Sequence, residues 1–341
     1  MEHANGSNSL RRRPRRLRRS EAIRSLVRET ELMPQRLVLP QFVMEGRGRS
    51  EAIGAMPGRS RHSIDRTIEE CRQAIDLGVN AFALFPLVNP SLKTNDAREA
   101  FNADNLLCRA VQGIKEVCPG ACVITDIALD PYSIVGHDGL VSPGGVVLND
   151  ETVAVLAKMA VVHARAGADI VAPSDMMDGR VGAIRAALDE AGFQDVAIIS
   201  YTAKYASAFY GPFREALDSA PVEAPNVPRD KKTYQMDPAN AREALIEAML
   251  DEAEGADMMM VKPGLPYLDV IARLRQCTDL PIAAYHVSGE YAMVKAAAQM
   301  GWLDERRCMT ESLTSIARAG ADVIFTYAAL DYARWWRERF V

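Results

Sequence analysis

Two lysines that each follow an apolar run are the residues of this chain best suited to covalent chemistry. Lys204 lies in SYTAKYASAFYGPFR, and Lys262 lies in DMMMVKPGLPYLD. An ammonium at the end of an apolar strand loses solvation, and a second ammonium nearby makes its charge costlier, so both effects lower the lysine pKa. A neutral lysine amine condenses with a ketone to form an imine. The alternative is that each lysine is an exposed loop cation, since lysine is rarely buried without a partner.

The elements that would position these lysines are eight short apolar runs that alternate with longer amphipathic segments. This alternation predicts parallel strands with right-handed helical crossovers, and eight such units close into a (β/α)₈ barrel, the TIM-barrel fold of the α/β class. A Gly-Ala-Asp tripeptide before three of the runs indicates a helix end, a tight turn and a strand start. The predicted strands are residues 36–43, 80–85, 122–127, 169–173, 196–200, 257–262, 281–287 and 322–327. A Rossmann-type sheet is disfavoured because no GxGxxG follows the first strand.

Polar residues collect at the predicted carboxyl ends of the strands, where barrel enzymes keep their functional groups. Any one of them could instead cap the following helix. Together they predict a single functional face. The residues, in chain order, are Asp126, Asp130, Ser174, Asp175, Lys204, Lys262, Ser288 and Tyr327.

The net charge of −5 is unevenly distributed along the chain. Residues 1–28 hold nine arginines against Glu2 and Glu21, which leaves −12 for the remainder. We predict an extended, basic N-terminal arm over residues 1–35 and a catalytic barrel over residues 36–341. The arm could bind nucleic acid, act as a transit-like leader, wrap an acidic neighbouring subunit or be a solvated tail. Nucleic acid is disfavoured because the acidic body would repel phosphate and no aromatic residues interleave with the arginines.

The composition, with 48% hydrophobic and 25% charged residues, is that of a folded globular protein. No run of eighteen apolar residues and no secretory signal is present, which predicts no membrane association and a cytoplasmic location. The six cysteines lack metal-binding spacing. Cys118 and Cys122 have neither a second cysteine pair nor a histidine doublet nearby, so the thiols are predicted to be reduced and free of zinc.

Several long blocks occur together from about residue 36 to the C-terminus. They are SYTAKYASAFYGPFR, MVKPGLPYLD, DIALDPYSIVGHDG, APSDMMDGR, TYQMDPAN and VSGEYAM. In content and order these blocks resemble the porphobilinogen synthase family, also called 5-aminolaevulinate dehydratase. The resemblance implies a barrel enzyme that condenses two molecules of 5-aminolaevulinate into porphobilinogen with loss of two waters, on the route to haem and related tetrapyrroles.

The resemblance also implies a role for each site residue. Two imines held in different orientations would explain the two lysines, with Lys262 binding the P-side substrate and Lys204 the A-side substrate. Asp126 and Asp130 are predicted to act as general bases or as hydrogen-bond partners of the ammonium groups. The predicted substrate-binding residues are Arg214, Lys231 and Gln235 for the A-side carboxylate, Ser288 and Tyr327 for the P-side carboxylate, Tyr210 and Tyr285 as pocket walls, and Ser174 and Asp138.

Residues 215–235, between Arg214 and the end of TYQ, are rich in Pro, Ala and charge without periodicity. This pattern is typical of a mobile lid that would exclude water from the imines and deliver Lys231 and Gln235, although an ordinary surface loop has the same composition.

Metal binding is where the sequence departs from part of the family. Members with a catalytic zinc have three cysteines at positions that hold Ala128, Asp130 and Asp138 here, so no catalytic zinc is expected. By resemblance, Glu247 would bind an allosteric Mg²⁺, while Arg242 could replace that cation electrostatically and make the enzyme metal-independent. The family also implies a homo-octamer of dimers joined by their arms. A class I aldolase-type barrel, which needs only one amine, is the alternative enzyme.

Overall fold

The computed structural model describes residues 12–340, and the chain divides into two compact units, Met1–Glu31 and Leu32–Val341. In the first unit a 3₁₀ helix, Pro14–Arg18, precedes the short helix α1, Glu21–Leu26. The Ser20 hydroxyl caps α1 by accepting a hydrogen bond from the Ile23 amide. Exposed ion pairs from Glu21 to Arg24 and Arg28 add little stability because they are solvated.

The second unit is a closed barrel of eight parallel strands, as predicted. Each strand pairs with the next, and β8 returns to β1 through Leu37 opposite Ile324 and Val38 opposite Phe325. The strands are β1 Leu37–Met44, β2 Ala81–Pro86, β3 Cys122–Ile127, β4 Ile170–Pro173, β5 Ala197–Lys204, β6 Met258–Lys262, β7 Ile282–His286 and β8 Val323–Thr326. Every residue of β1 is buried, because helices cover the outside of the barrel and side chains fill its inside.

The helices of the second unit form the outer layer. Asn105 and Asp304 cap two of them, accepting hydrogen bonds from the amides of Cys108 and Arg307. The helices are α2 Ile64–Asp76, α3 Leu106–Val117, α4 Asn149–Ala166, α5 Arg180–Glu190, α6 Gly211–Leu217, α7 Glu243–Ala253, α8 Leu268–Leu274, α9 Ser288–Gln299, α10 Glu305–Ala319 and α11 Ala329–Arg337. Within residues 12–340, none of the helices combines the length and apolar character needed to cross a bilayer.

The repeated Gly-Ala-Asp tripeptides set strand register. Each glycine ends a helix with positive φ, and each aspartate then accepts a hydrogen bond from a backbone amide at the start of the previous strand. Asp169, Asp257 and Asp322 accept from Val123, Ile198 and Ile282 at 2.8, 2.7 and 3.0 Å. A buried amide at a strand start needs such a partner, which explains why the tripeptide recurs in the same structural position.

Two features of the barrel were not predicted. Strand β5 runs to Lys204, four residues beyond the predicted end, so this lysine ends a strand instead of following one. Two hairpins also extend the loops after β1 and β3. Their strands are Ser50–Ala52 with Ser60–Ser63, and Leu140–Val141 with Val147–Leu148. The second hairpin belongs to the loop that carries Asp138.

Candidate active site

Lys204 and Lys262 are the last residues of neighbouring strands and lie opposite each other in the β5–β6 pairing. Each is only 6% exposed. The register shifts by one residue between Met259 and Val261, which is a bulge just before the two lysines. Bulges of this kind redirect side chains next to functional sites. The structure therefore brings the two predicted nucleophiles together inside the barrel mouth.

The Lys204 ammonium is surrounded by oxygen atoms. Its Nζ donates to Asp138 Oδ2 at 2.9 Å and to the carbonyl oxygen of Ser174. It also lies 5.9 Å from the ring centroid of Tyr201. A lysine with a carboxylate and a carbonyl in direct contact is held in a fixed direction and has its charge compensated.

The Lys262 ammonium is surrounded by aromatic rings instead. Burial, followed by repulsion from the Lys204 ammonium, lowers the pKa of Lys262 from 10.5 to about 7. The lysine is therefore a neutral nucleophile in much of the population near neutral pH. The ring centroids lie 4.6 Å away for Tyr285, 5.0 Å for Tyr201, 5.1 Å for Phe213 and 5.3 Å for Tyr210.

Asp126 has the environment of a proton-transfer group. Burial and then repulsion from Asp130 raise its pKa from 3.8 to about 7, although Lys204 and Lys262 act in the opposite direction. Its Oδ1 atom is buried without a hydrogen-bond partner. A carboxyl that titrates near neutral pH and has a free oxygen can both accept and donate a proton.

Asp138 contacts both the Lys204 and the Lys231 ammonium groups. Its Oδ1 accepts from Lys231 Nζ at 2.6 Å, while its Oδ2 accepts from Lys204. Burial would raise the pKa of Asp138, but the Lys204 and Lys231 ammonium groups outweigh burial and hold that pKa well below its usual range. Asp130 is 3.6 Å from the same Lys231 ammonium. Asp130 and Asp138 offset the burial of Lys231 and raise its pKa.

A narrow cavity of about 30 Å³ opens above the two lysines. Ten of the thirteen predicted catalytic and substrate-binding residues line it. They are Asp126, Asp130, Asp138, Ser174, Lys204, Tyr210, Arg214, Lys231, Gln235 and Lys262. Gln235 Oε1 is buried without a partner, and Arg214 is partly exposed, so polar groups remain available on the side where the A-side carboxylate is predicted.

The three remaining predicted residues are the P-side anchors Ser288 and Tyr327 and the pocket wall Tyr285, and they are buried next to the cavity without lining it. The Tyr285 and Tyr327 hydroxyl groups are 3.0 Å apart and bond to each other. The Ser288 hydroxyl accepts from the Phe213 amide at 3.0 Å and donates to the Phe209 carbonyl at 3.4 Å. The Tyr285 ring lies 4.6 Å from the Lys262 ammonium, but these hydrogen bonds of the three side chains are all made within the protein.

The predicted lid segment packs over the loop that follows β3. The His137 ring lies between the Tyr234 hydroxyl, 3.0 Å from Nδ1, and the Pro228 carbonyl, 2.8 Å from Nε2. The Val222 amide donates to the Val135 carbonyl. This segment delivers Lys231 and Gln235 to the cavity.

Glu247 lies apart from the lysines, on α7, and lines a second cavity of about 640 Å³ together with Asp178 and Glu243. Burial raises the pKa of Glu247 to about 7, and Arg180 opposes this effect more than any other group. Arg242, the cation predicted to act there, is exposed at the N-terminus of α7. Among residues 12–340, no three His, Cys, Asp or Glu side chains are grouped to hold a metal ion.

Sequence reasoning missed several residues of the site. Phe85, Phe213 and Ser219 line the cavity, and Tyr201 lies beside both ammonium groups. Tyr201 and Lys204 are three residues apart, which would place them on opposite faces of a regular strand. The bulge removes that alternation, so no pattern in the sequence could have revealed the contact.

The known proteins that are similar in sequence to this chain belong to one family. A sequence model of the family described as Delta-aminolevulinic acid dehydratase matches residues 11–335. This chain belongs to that family. Over 327 residues it is 58% identical to the chloroplastic Delta-aminolevulinic acid dehydratase of Physcomitrium patens, covering 95% of this chain and 74% of the relative. For the Chlamydomonas reinhardtii enzyme the identity is 54%, with 95% and 84% covered.

A solved structure of a family member has the same fold. The delta-aminolevulinic acid dehydratase of Toxoplasma gondii ME49, in complex with the reaction product porphobilinogen, superimposes with a TM-score of 0.93 at 52% identity. The match covers 96% of this chain and 92% of the other. The barrel and the family predicted from the sequence are therefore confirmed.

The predicted cytoplasmic location was wrong. The similar relatives from mosses, algae and flowering plants are named chloroplastic, which points to a plastid. The prediction rested on the lack of a secretory signal, and plastid import uses a different kind of leader.

Proposed function

We propose that the lysine-lined cavity synthesises porphobilinogen from two molecules of 5-aminolaevulinate with loss of two waters, the reaction of a porphobilinogen synthase. The observation that carries the proposal is the pair of buried lysines opposite each other on β5 and β6. Two amines at one barrel mouth serve a reaction that needs two imines from two identical ketones. A class I aldolase would leave one amine without a purpose.

The two lysines support different tasks. Lys262, with a pKa near 7 in an aromatic pocket, can form an imine without prior removal of a proton by a base. Lys204, fixed by Asp138 and Ser174, is suited to hold a second substrate whose carboxylate meets Arg214, Lys231 and Gln235. Asp126 would move protons between the two condensing molecules.

We infer that the enzyme belongs to the type without a catalytic zinc–cysteine site. Ala128, Asp130 and Asp138 stand at the three positions, and both aspartates contact or approach Lys231. Oxygen atoms that bind ammonium groups are poor ligands for zinc and suit a hard cation or none. The chemistry of proton transfer then falls to the aspartates.

A regulatory Mg²⁺ near Glu247 is compatible with the donor set there. Burial and, to a smaller extent, the acidic neighbours Asp251, Asp178 and Glu243 raise the pKa of Glu247, and a cation would relieve the repulsion between these carboxylates. With few protein oxygens grouped together, the ion would keep most of its water ligands, as Mg²⁺ does readily. Activity after exhaustive chelation, with and without added Mg²⁺, tests this; full activity without metal would contradict it.

We also propose that copies of the chain assemble into a homo-octamer through their basic arms. Large apolar side chains remain exposed on α7 and after α9, and such patches mark contact surfaces. They are Ile246, Met249, Leu250, Met300, Trp302 and Leu303. The small-molecule partner is 5-aminolaevulinate, and neither nucleic acid nor membrane is expected to bind.

Borohydride reduction in the presence of 5-aminolaevulinate, followed by peptide mass analysis, tests the reaction. We expect product formation before reduction and covalent adducts on both Lys204 and Lys262 afterwards. An unmodified Lys262 after complete inactivation would contradict the proposal. An adduct at one lysine, with cleavage of a carbon–carbon bond and no pyrrole, would identify an aldolase-type enzyme instead.

A further inference from the structure

Glu290 is a buried carboxylate that the proposed reaction does not use. It is the third residue of α9, is 0% exposed and comes from the VSGEYAM block. Its Oε1 accepts from the Leu265 amide at 2.6 Å, and its Oε2 accepts from the Val287 amide at 2.6 Å and the Gly264 amide at 3.3 Å. Burial raises its pKa to about 7, against the effect of these three amides.

These amides belong to two different strand ends. Gly264 and Leu265 lie two and three residues after Lys262, which ends β6, whereas Val287 directly follows β7 and precedes Ser288. The two strands pair with each other, so the carboxylate ties together two neighbouring segments of the rim. One segment carries the predicted P-side amine and the other carries a predicted P-side carboxylate anchor.

The packing around this junction is tight. A Cβ on Gly289 would lie 2.5 Å from the Phe209 carbonyl oxygen, which shows how closely residues 209–213 approach the start of α9. That approach places the Phe213 amide against the Ser288 hydroxyl. A small shift of the β7 end would therefore move Ser288 relative to both Phe213 and Lys262.

We propose that Glu290 is a positioning residue for the P-side substrate: it fixes the ends of β6 and β7 so that Lys262 and Ser288 act on the same molecule. The proposal rests on the proposed function. It assigns Glu290 no contact with substrate, and it predicts that Glu290 acts through Ser288.

A carboxylate can hold both strand ends because its two oxygens accept hydrogen bonds from all three backbone amides. In Glu290→Gln one oxygen becomes an NH₂ group, so at least one backbone amide faces another donor. The side-chain volume is unchanged, which separates the hydrogen-bond effect from a packing effect. Glu254→Gln is a matched control. Glu254 also accepts a hydrogen bond from a backbone amide of another element, that of Gly182 on α5, but neither residue lines the cavity above the two lysines.

The test measures borohydride-trapped adducts at Lys262 and Lys204 over a range of 5-aminolaevulinate concentrations. For Glu290→Gln we expect the half-saturating concentration at Lys262 to rise about tenfold or more, the size expected for loss of hydrogen bonds to a charged group. Thermal melting and the Glu254→Gln control show whether the substitution destabilises the fold as a whole. A lower active fraction with unchanged half-saturation at Lys262 would show a purely structural role and overturn the proposal.

A double-mutant cycle with Ser288→Ala tests whether Glu290 acts through Ser288. If it does, Glu290→Gln has little further effect on half-saturation once Ser288 is absent. Multiplicative effects of the two changes would overturn the proposal. If Glu290→Gln does not fold, Glu290→Asp, which keeps the charge but cannot span both segments, must show the same non-additivity. Failure of the wild-type protein to form any adduct would instead refute the proposed function.

Discussion

At the scale of the residue, the two lysines differ in what surrounds them. Lys204 contacts a carboxylate and a carbonyl oxygen, whereas Lys262 is enclosed by four aromatic rings. Aromatic faces attract a cation but solvate it far less than water does, so burial dominates and the Lys262 amine loses its proton easily. Two identical side chains thereby lie in different surroundings, and those of Lys262 lower its pKa.

The pH dependence of imine formation follows from this difference. Because the neutral amine is the nucleophile, the rate of trapping at Lys262 should rise with pH and level off above about pH 7, the pKa that burial produces. Adducts at Lys204 in the same samples provide the internal comparison. A half-maximal rate above about pH 9, closer to an ordinary lysine, would count against the assignment.

The same shift predicts an effect on stability. Between about pH 7 and 10.5 the Lys262 side chain binds a proton in the unfolded chain but not in the folded protein. Lys262 therefore lowers the free energy of unfolding, and this destabilisation becomes smaller as the pH rises through that range. We expect Lys262→Met to be more stable than the wild type, with a gain on the order of 2 kcal/mol larger at about pH 6 than at about pH 8.5.

Urea unfolding at both pH values measures this gain. Lys232→Met is the control, because Lys232 is 72% exposed and its removal should give no pH-dependent difference. Equal gains for Lys262→Met at the two pH values would show that the amine is not buried in the way described.

At the scale of the element, the segment between α6 and α7 brings one lysine into the cavity and leaves its neighbour in solvent. Lys231 contacts Asp138 at 2.6 Å, whereas the exposed Lys232 pairs with the exposed Asp230 at 3.7 Å. His137 and Tyr234 fasten this segment to the loop after β3. The geometry of this segment thus decides which of two adjacent lysines lines the cavity.

Adjacent alanine substitutions provide a sharp test of the lid. Lys231→Ala should raise the half-saturating concentration of 5-aminolaevulinate about tenfold or more, because a buried cation that would bind the A-side carboxylate is lost. Lys232→Ala should leave it unchanged. Steady-state kinetics of both variants measure the difference, and similar values for the two would argue against delivery of Lys231 by the lid.

At the scale of the whole molecule, charge separates the basic arm from the acidic remainder of the chain. The arm carries +7 over residues 1–28 and the remainder −12, which favours attraction between copies at low salt. We expect a chain lacking residues 1–31 to form smaller assemblies than the full chain. Light scattering at low and high salt measures the mass, and an unchanged mass would contradict an assembly role for the arm.

The sequence alone predicted the barrel and the family, which are confirmed, and it also predicted a set of site residues. All eight strands were predicted, because apolar runs, helix-ending glycines and the Gly-Ala-Asp turns are local signals. Lys204, Lys262, Asp126 and Asp130 were predicted to share a face, since strand ends in a barrel do so, and all four line one cavity. The compartment was predicted wrongly, because it depends on the kind of leader and not on the local signals that predict the barrel.

Tertiary structure alone decided how these residues act. The bulge before Lys262 sets Tyr201 beside both amines, and a loop far along the chain brings Asp138 between Lys204 and Lys231. Burial and the Lys204 ammonium then lower the pKa of Lys262. Spacing along a chain fixes which residues share a face, whereas desolvation and ion pairing depend on atoms that meet only after folding.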